Sequence, residues 1–130
     1  MGSMGYAESN RCRWVGVRPA HGGTQVMTYC GVNNSTGIVY TVPAGKTFYL
    51  CWANIVVPTV TTGHGELYIR NLADVFVFEL ASVNVFTAAA AYSGPFIGNP
   101  PLEVPEGYDV CILSSTAGLI VIGNAFGWVA

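Results

Sequence analysis

A chain of 130 residues is long enough to enclose one hydrophobic core and too short for two ordinary domains. Charged residues make up only 9% of it, against about 25% in typical soluble domains, and 52% is hydrophobic, a balance that predicts a soluble protein burying extra surface against other chains. The net charge of −2 comes with no basic stripe to neutralise phosphates, so nucleic acid is not expected as a partner.

In chain order, Met1-Gly2-Ser3-Met4 reads as a cloning scar ahead of a native start at Met4, leaving residues 5–130 as a single β-sandwich domain. Arg11–Pro19 is a first β-prone run containing Trp14, Val15 and Val17, and His21-Gly22-Gly23 turns it. Thr24–Val32 is a second strand, closed by the loop composition Asn33-Asn34-Ser35-Thr36-Gly37. Ile38–Val42 and Thr47–Val57 flank a Val-Pro-Ala-Gly phrase. A polar, threonine-rich turn over residues 58–65 leads to Glu66–Asn71, and Val75–Leu80 is strongly β-prone. Residues 83–92 mix β-branched residues with a run of four alanines and are assigned to strand, with room for a short helical turn. Phe96-Ile97, Asn99-Pro100-Pro101 and a second Val-Pro-x-Gly phrase follow, and the chain closes on Gly118–Ile122 and Ala125–Val129.

The repeated phrase is the most distinctive pattern. Val42-Pro43-Ala44-Gly45 and Val104-Pro105-Glu106-Gly107 each join an apolar run to another, with proline presetting one corner and glycine accepting positive φ, so both read as hairpin corners between antiparallel strands. Pro43, Gly45, Pro105 and Gly107 are therefore structural candidates. Two alike corners, eight to ten short strands and no long helix predict an all-β antiparallel sandwich of jelly-roll type, with an immunoglobulin-like sandwich as the alternative.

No apolar stretch approaches the roughly 20 residues of a spanning helix, and a membrane barrel needs stricter alternation than this, so no membrane partner is expected. Charge is divided along the chain: residues 1–70 hold every basic residue and carry +3, whereas residues 71–130 carry −5. This asymmetry is consistent with complementary edges on neighbouring subunits, and equally with chance among twelve charges.

Signatures of chemistry are sparse. His21 and His64 each lie beside glycines, and His64-Gly65-Glu66 is a fragment of the ligand set a cupin-like metal site uses; a turn role accounts for both, and neither metal nor other cofactor is expected. There is no Gly-x-Ser-x-Gly elbow and no phosphate-cradling loop, so the chain is not expected to be an enzyme. Glu103, Glu106 and Asp109 surround a corner, where solvated turn residues are a simpler reading than a glycosidase carboxylate pair. Cys12, Cys30, Cys51 and Cys111 form no C-x-x-C pair; Cys51 and Cys111 sit in apolar runs as buried, reduced thiols. Trp14, Tyr92, Phe126 and Trp128 are the aromatic candidates for a subunit interface or a ligand, and Trp52 is a further candidate for a sugar face; core packing is the default for each tryptophan, and for Trp52, in an apolar run, it is the expected place. A lectin-like module presenting these rings to a glycan is the alternative to an assembly role.

The phrase Tyr40-Thr-Val-Pro-Ala-Gly-Lys-Thr-Phe-Tyr-Leu50, with Leu102-Glu-Val-Pro-Glu-Gly107 later, resembles the corner pattern of small structural proteins of tailed bacteriophages. The final strand, Ala125–Ala130, is similar to that of tumour-necrosis-factor-type jelly rolls, which are trimers. These resemblances imply a homotrimeric capsid decoration or cement protein, or part of a fibre. Its partners would be its own copies and a major capsid or other virion protein, and it would be assembled in the host cytoplasm and located in the virion.

Overall fold

β-Branched and aromatic residues alternate in and out along most of the chain, and each alternating run becomes a strand whose inner residues meet those of a facing sheet. The computed structural model of the protein describes residues 23–59, 61–86 and 91–130. Nine strands occur among them: β1 (Thr24–Asn33), β2 (Thr36–Thr41), β3 (Phe48–Val57), β4 (Gly63–Arg70), β5 (Phe76–Val85), β6 (Ala91–Tyr92), β7 (Phe96–Val104), β8 (Asp109–Ser114) and β9 (Ile120–Val129). The expected strand Arg11–Pro19 lies outside the described residues, as do Ala88, Ala89 and Ala90 of the alanine run, whose last residue, Ala91, opens β6.

One sheet has the order β1-β9-β3, with β6 and β7 sharing the far edge of β3; the other has the order β2-β8-β4-β5, and every pairing is antiparallel. The pairs β1·β9, β2·β8, β3·β7 and β4·β5 are nested like the rungs of one long hairpin folded at β4–β5 and rolled up.

The core fills the space between the sheets. Phe48, Leu50, Ile55, Leu67, Ile112, Leu119 and Val121 are fully buried there. At roughly 25 cal/mol per Å² of apolar area removed from water, each contributes on the order of 2 kcal/mol.

Three expectations are corrected by the topology. The two Val-Pro-x-Gly phrases are not hairpins: β2 and β3 belong to opposite sheets, as do β7 and β8, so both corners carry the chain across the sandwich. Val83 does not open a new segment, because β5 runs unbroken from Phe76 to Val85. The terminal pair of runs is a single strand, β9, continuing through Gly123.

Trp52 is the fourth difference. Phe48 and Leu50 point inward, and an unbroken strand would send Trp52 the same way. Cys51 is instead an extra residue: Leu50 pairs Gly127 and Trp52 pairs the next residue, Phe126. The bulge reverses the phase, so Ala53, Ile55 and Val57 fill the core while Trp52 turns to the outer face.

Candidate interaction surfaces

The two corners meet at one end of the sandwich. In each, a backbone bond spans three residues, from Lys46 N–H to the Pro43 carbonyl and from Tyr108 N–H to the Pro105 carbonyl, both 3.2 Å. Gly45 (φ 74°) and Gly107 (φ 77°) therefore occupy the third position of their turns, where positive φ is required, and each proline stands just ahead of the bend. The corners are also bonded to one another. Val42 N–H donates to the Tyr108 carbonyl at 3.0 Å, Gly107 N–H donates to the Val42 carbonyl at 2.8 Å, and the Glu106 carboxylate accepts from Gly45 N–H.

Beside them, Asp109 is almost fully buried and ties three strands of one sheet. It accepts from Thr41 Oγ1 of β2 at 2.6 Å, and from Arg70 Nε and Nη2 of β4, both at 3.0 Å. Arg70 also reaches exposed Asp74 at 3.4 Å. The carboxylates that could have suggested glycoside hydrolysis are thus divided among roles: Asp109 in an ion pair, Glu106 capping a turn, and Glu103 exposed on β7.

The outer face of the β1-β9-β3 sheet bears a second, smaller apolar cluster. Cys51 and Phe126 are buried in it, with Trp52 and Trp128 packed half-buried against them. Next to it lies a shallow concavity of about 510 Å³, lined by Gln25, Met27, Tyr29, Trp52, Asn124 and Phe126 among others. Met27 and Tyr29 are 73% and 74% exposed, so this is an open, apolar surface with two amides at its rim. Phe126 and Trp128 are brought together here. Tyr92 lies in β6, pairing Val56, and Trp14 is outside the described residues. Met27, Tyr29 and Gln25 were not singled out from sequence, although the alternation Gln25-x-Met27-x-Tyr29, out of phase with inward Val26 and Val32, carries their outward placement.

A third surface is the free margin of the other sheet. β5 has a neighbour on one side only among the described residues, and Val75, Phe76, Val77 and Phe78 in succession are between 43% and 55% exposed. Two extra residues interrupt its register with β4, Val77 between the pairs Arg70–Phe76 and Ile69–Phe78, and Leu80 between Tyr68–Glu79 and Leu67–Ala81. Phe76 stacks on Tyr68 with ring centroids 5.6 Å apart, and Phe78 meets Phe96 of the facing sheet edge-on at 6.2 Å. A cleft of about 180 Å³ runs between this margin and β7, bounded by Val77, Phe78, Leu102 and Pro105. Asp74 and Glu79 stand at the two ends of the exposed run.

The thiol and carboxyl shifts among the described residues have burial as their leading cause. Burial pushes the Cys111 thiol up to about 11, and burial likewise raises Cys51. Burial, a hydrogen bond with Glu79 and the repulsion of that carboxylate raise Glu66 above the usual carboxylate range. His64 Nδ1 sits 2.9 Å from Asn84 Oδ1. Among the described residues no three His, Cys, Asp or Glu side chains converge on a point that could hold a metal ion, and no helix is long and apolar enough to cross a membrane.

No family model and no curated protein matches the sequence. The fold, however, is similar to solved structures. A chain from the acid-stable capsid of the Helicobacter pylori bacteriophage KHP30 superposes with a TM-score of 0.52 at 8% identity, over 80% of this chain and 86% of that one. A chain of the cyanophage Pam1 capsid asymmetric unit gives 0.42 at 14% identity, over 92% and 97%. The Drosophila NLP core, whose structure is described in terms of pentamer formation and histone binding, gives 0.46 at 10% identity, over 81% and 97%. At these identities the likeness concerns the fold.

Proposed function

We propose that this protein is a non-enzymatic virion structural protein, a homotrimer that decorates or cements a bacteriophage capsid. The observation that carries the reading is the apolar surface that the described residues leave open: four consecutive exposed apolar residues, Val75–Phe78, leading into and along β5, and an open face bearing Met27, Tyr29 and Trp52. Soluble monomers rarely display such patches unless a partner covers them. The scarcity of charge supports the same reading, since a subunit packed among copies needs less solvated surface. The corner pattern shared with small phage structural proteins points to the particle, and the fold is compatible with one found in a phage capsid.

The test is the mass of the full chain in solution by size-exclusion chromatography with light scattering, followed by co-sedimentation with the capsid shell encoded by the same genome. The expected mass is three times the 13.8 kDa of one chain, with the protein pelleting with shells. A monomer at micromolar concentration that stays in the supernatant would overturn the proposal.

The concavity supports a second reading, a glycan site. An indole and a phenol, Trp52 and Tyr29, line it together with the amides of Gln25 and Asn124, the residue types that stack on a sugar and bond its hydroxyls. Glycan-array binding lost in Trp52→Ala with the fold intact would favour it. No binding by the wild-type protein to any glycan would eliminate it.

A further inference from the structure

We propose that copies of this protein associate through the outer face of the β1-β9-β3 sheet, with the exposed Met27 and Tyr29 of β1 in one copy seated in the concavity over β3 and β9 of the next. The inference rests on the homotrimer reading above and names the contact that would build it.

An antiparallel sheet with one face on the core and the other in water alternates apolar inward with polar outward. The β2-β8-β4-β5 sheet obeys this rule along β4, where Gly65, Leu67 and Ile69 are buried and His64, Glu66, Tyr68 and Arg70 alternate with them. The other sheet does not. β1, β3 and β9 are ten residues each and hold no acidic or basic residue. The positions alternating with their core residues include Met27, Tyr29, Trp52, Val56, Ile120 and Ile122. That is the composition of a sheet covered on both faces.

The margin of β1 points the same way independently. Strands that end a sheet are blunted by charge, proline, bulges or shortness. Among the described residues, β5 carries two extra residues and Glu79, and β7 carries Pro100, Pro101 and Glu103. β2 has six residues and a register shift between Ile38 and Tyr40. β1 has none of these devices, and its pairing with β9 runs over ten residues without a break. It is the strand that an assembly would bury.

Chemistry selects a second copy as the partner. A charge pressed onto a surface that offers no counter-charge is buried unpaired, at high cost, so the partner must bring a charge-free surface of its own. This chain has one, and both halves of a fit lie on it. Along one cross-strand row, exposed Met27 and Ile97 stand at the ends while buried Phe126 and half-buried Trp52 lie between them. The concavity of about 510 Å³ extends from this row to Asn124. At about 3.3 Å per residue and 4.8 Å per strand, three ten-residue strands cover about 480 Å² in flat projection. The relief of ridge and hollow raises the accessible area above that, toward the roughly 800 Å² that each partner gives to a standard interface. Repeated head to tail, the ridge of each copy in the hollow of the next closes into a ring, the arrangement an odd-numbered oligomer requires.

Light scattering measures the mass of the full chain, of Met27→Lys and Tyr29→Lys on the ridge, of Asn124→Lys in the hollow and of Val77→Lys on β5, each checked for its fold by circular dichroism. The ridge and hollow variants are expected to weaken association about a hundredfold or more and to run as monomers, whereas Val77→Lys keeps the wild-type mass. Mixed in equal amounts at high concentration, Tyr29→Lys and Asn124→Lys should form a species of two chains, since one retains its hollow and the other its ridge. A mixture that stays monomeric overturns the pairing of ridge with hollow. Unchanged mass in the ridge and hollow variants, or dissociation of Val77→Lys alone, overturns this contact and leaves the trimer standing. Glycan binding by a trimeric wild type that Trp52→Ala abolishes means the concavity is open in the assembly, and also overturns the contact. A monomeric wild type overturns both readings.

Discussion

Replacing Arg70 by methionine isolates the buried ion pair that holds the corner end of the β2-β8-β4-β5 sheet. The substitution keeps an apolar stem of similar length but removes both nitrogen contacts to Asp109 Oδ2, leaving the carboxylate its hydrogen bond from Thr41 Oγ1 in a site where Asp109 is 8% exposed. Breaking a buried pair by removing one partner costs about 3–5 kcal/mol. Because the Arg70 side chain itself is 22% exposed, water can approach the vacated side, and the low end, about 3 kcal/mol, applies. The outer contact with Asp74 adds little, since Asp74 is 72% exposed. With an unfolding entropy of roughly 2.1 cal/mol/K per residue, each kcal/mol moves Tm by about 4 °C, so a drop on the order of 11 °C is expected in calorimetry. Protein concentration must be matched between samples, because association raises Tm by mass action. The companion Arg70→Met/Asp109→Leu variant should recover part of the loss, since no carboxylate is then stranded. A drop under about 3 °C for Arg70→Met, or a double variant as unstable as the sum of the singles, would refute the reasoning.

Three further outcomes are expected. Gly45→Ala, at φ 74° with open space where its Cβ would stand, should cost about 1–2 kcal/mol from backbone conformation alone, read as a shift in urea midpoint at constant slope. Of the described thiols, half-buried Cys30 should alkylate in the native protein, whereas Cys51 and Cys111, buried and held protonated at neutral pH, should react only on unfolding, as followed by mass spectrometry. Glu66 has a folded pKa raised above its unfolded value, so its contribution is fully present below the ordinary glutamate pKa and is lost as pH rises through the raised one. Wild-type stability relative to Glu66→Gln should therefore fall as pH rises above about 4.5, and parallel profiles for the two proteins would contradict this.

Periodicity in the sequence identifies which residues share a face but not which strand lies beside them, and the differences follow from that. Most strands and the inward set of β3 and β4 can be read from alternation. The crossing of the Val-Pro-x-Gly corners cannot, because a tight turn looks the same whether the next strand pairs back or passes to the facing sheet. β9 reads in the sequence as two runs parted by Gly123 and Asn124, because glycine weakens a strand in isolation. Here it admits a neighbour: a Cβ on Gly123 would lie 2.9 Å from Leu67 Cδ1. Trp52 lies in an apolar run and reads as core, because a bulge changes parity without any mark in composition. The Arg70–Asp109 pair joins residues far apart in the chain, and only the rolled topology brings them together. Of the aromatic candidates, Phe126 and Trp128 share one outer cluster, while the concavity beside it depends on Met27 and Tyr29, two ordinary-looking residues of an edge strand.

The rolled arrangement also sets an order of events during synthesis. β9, the last strand in chain order, lies in the middle of its sheet between β1 and β3, so neither can complete its hydrogen bonding before residues 120–129 emerge. The β4–β5 hairpin can form early, but the sandwich is dominated by non-local pairings, which places folding in the milliseconds-to-seconds range. A nascent subunit therefore leaves β1 and β3 without their shared neighbour until residues 120–129 have left the ribosome. Chaperone dependence during overexpression should end with the emergence of that one strand.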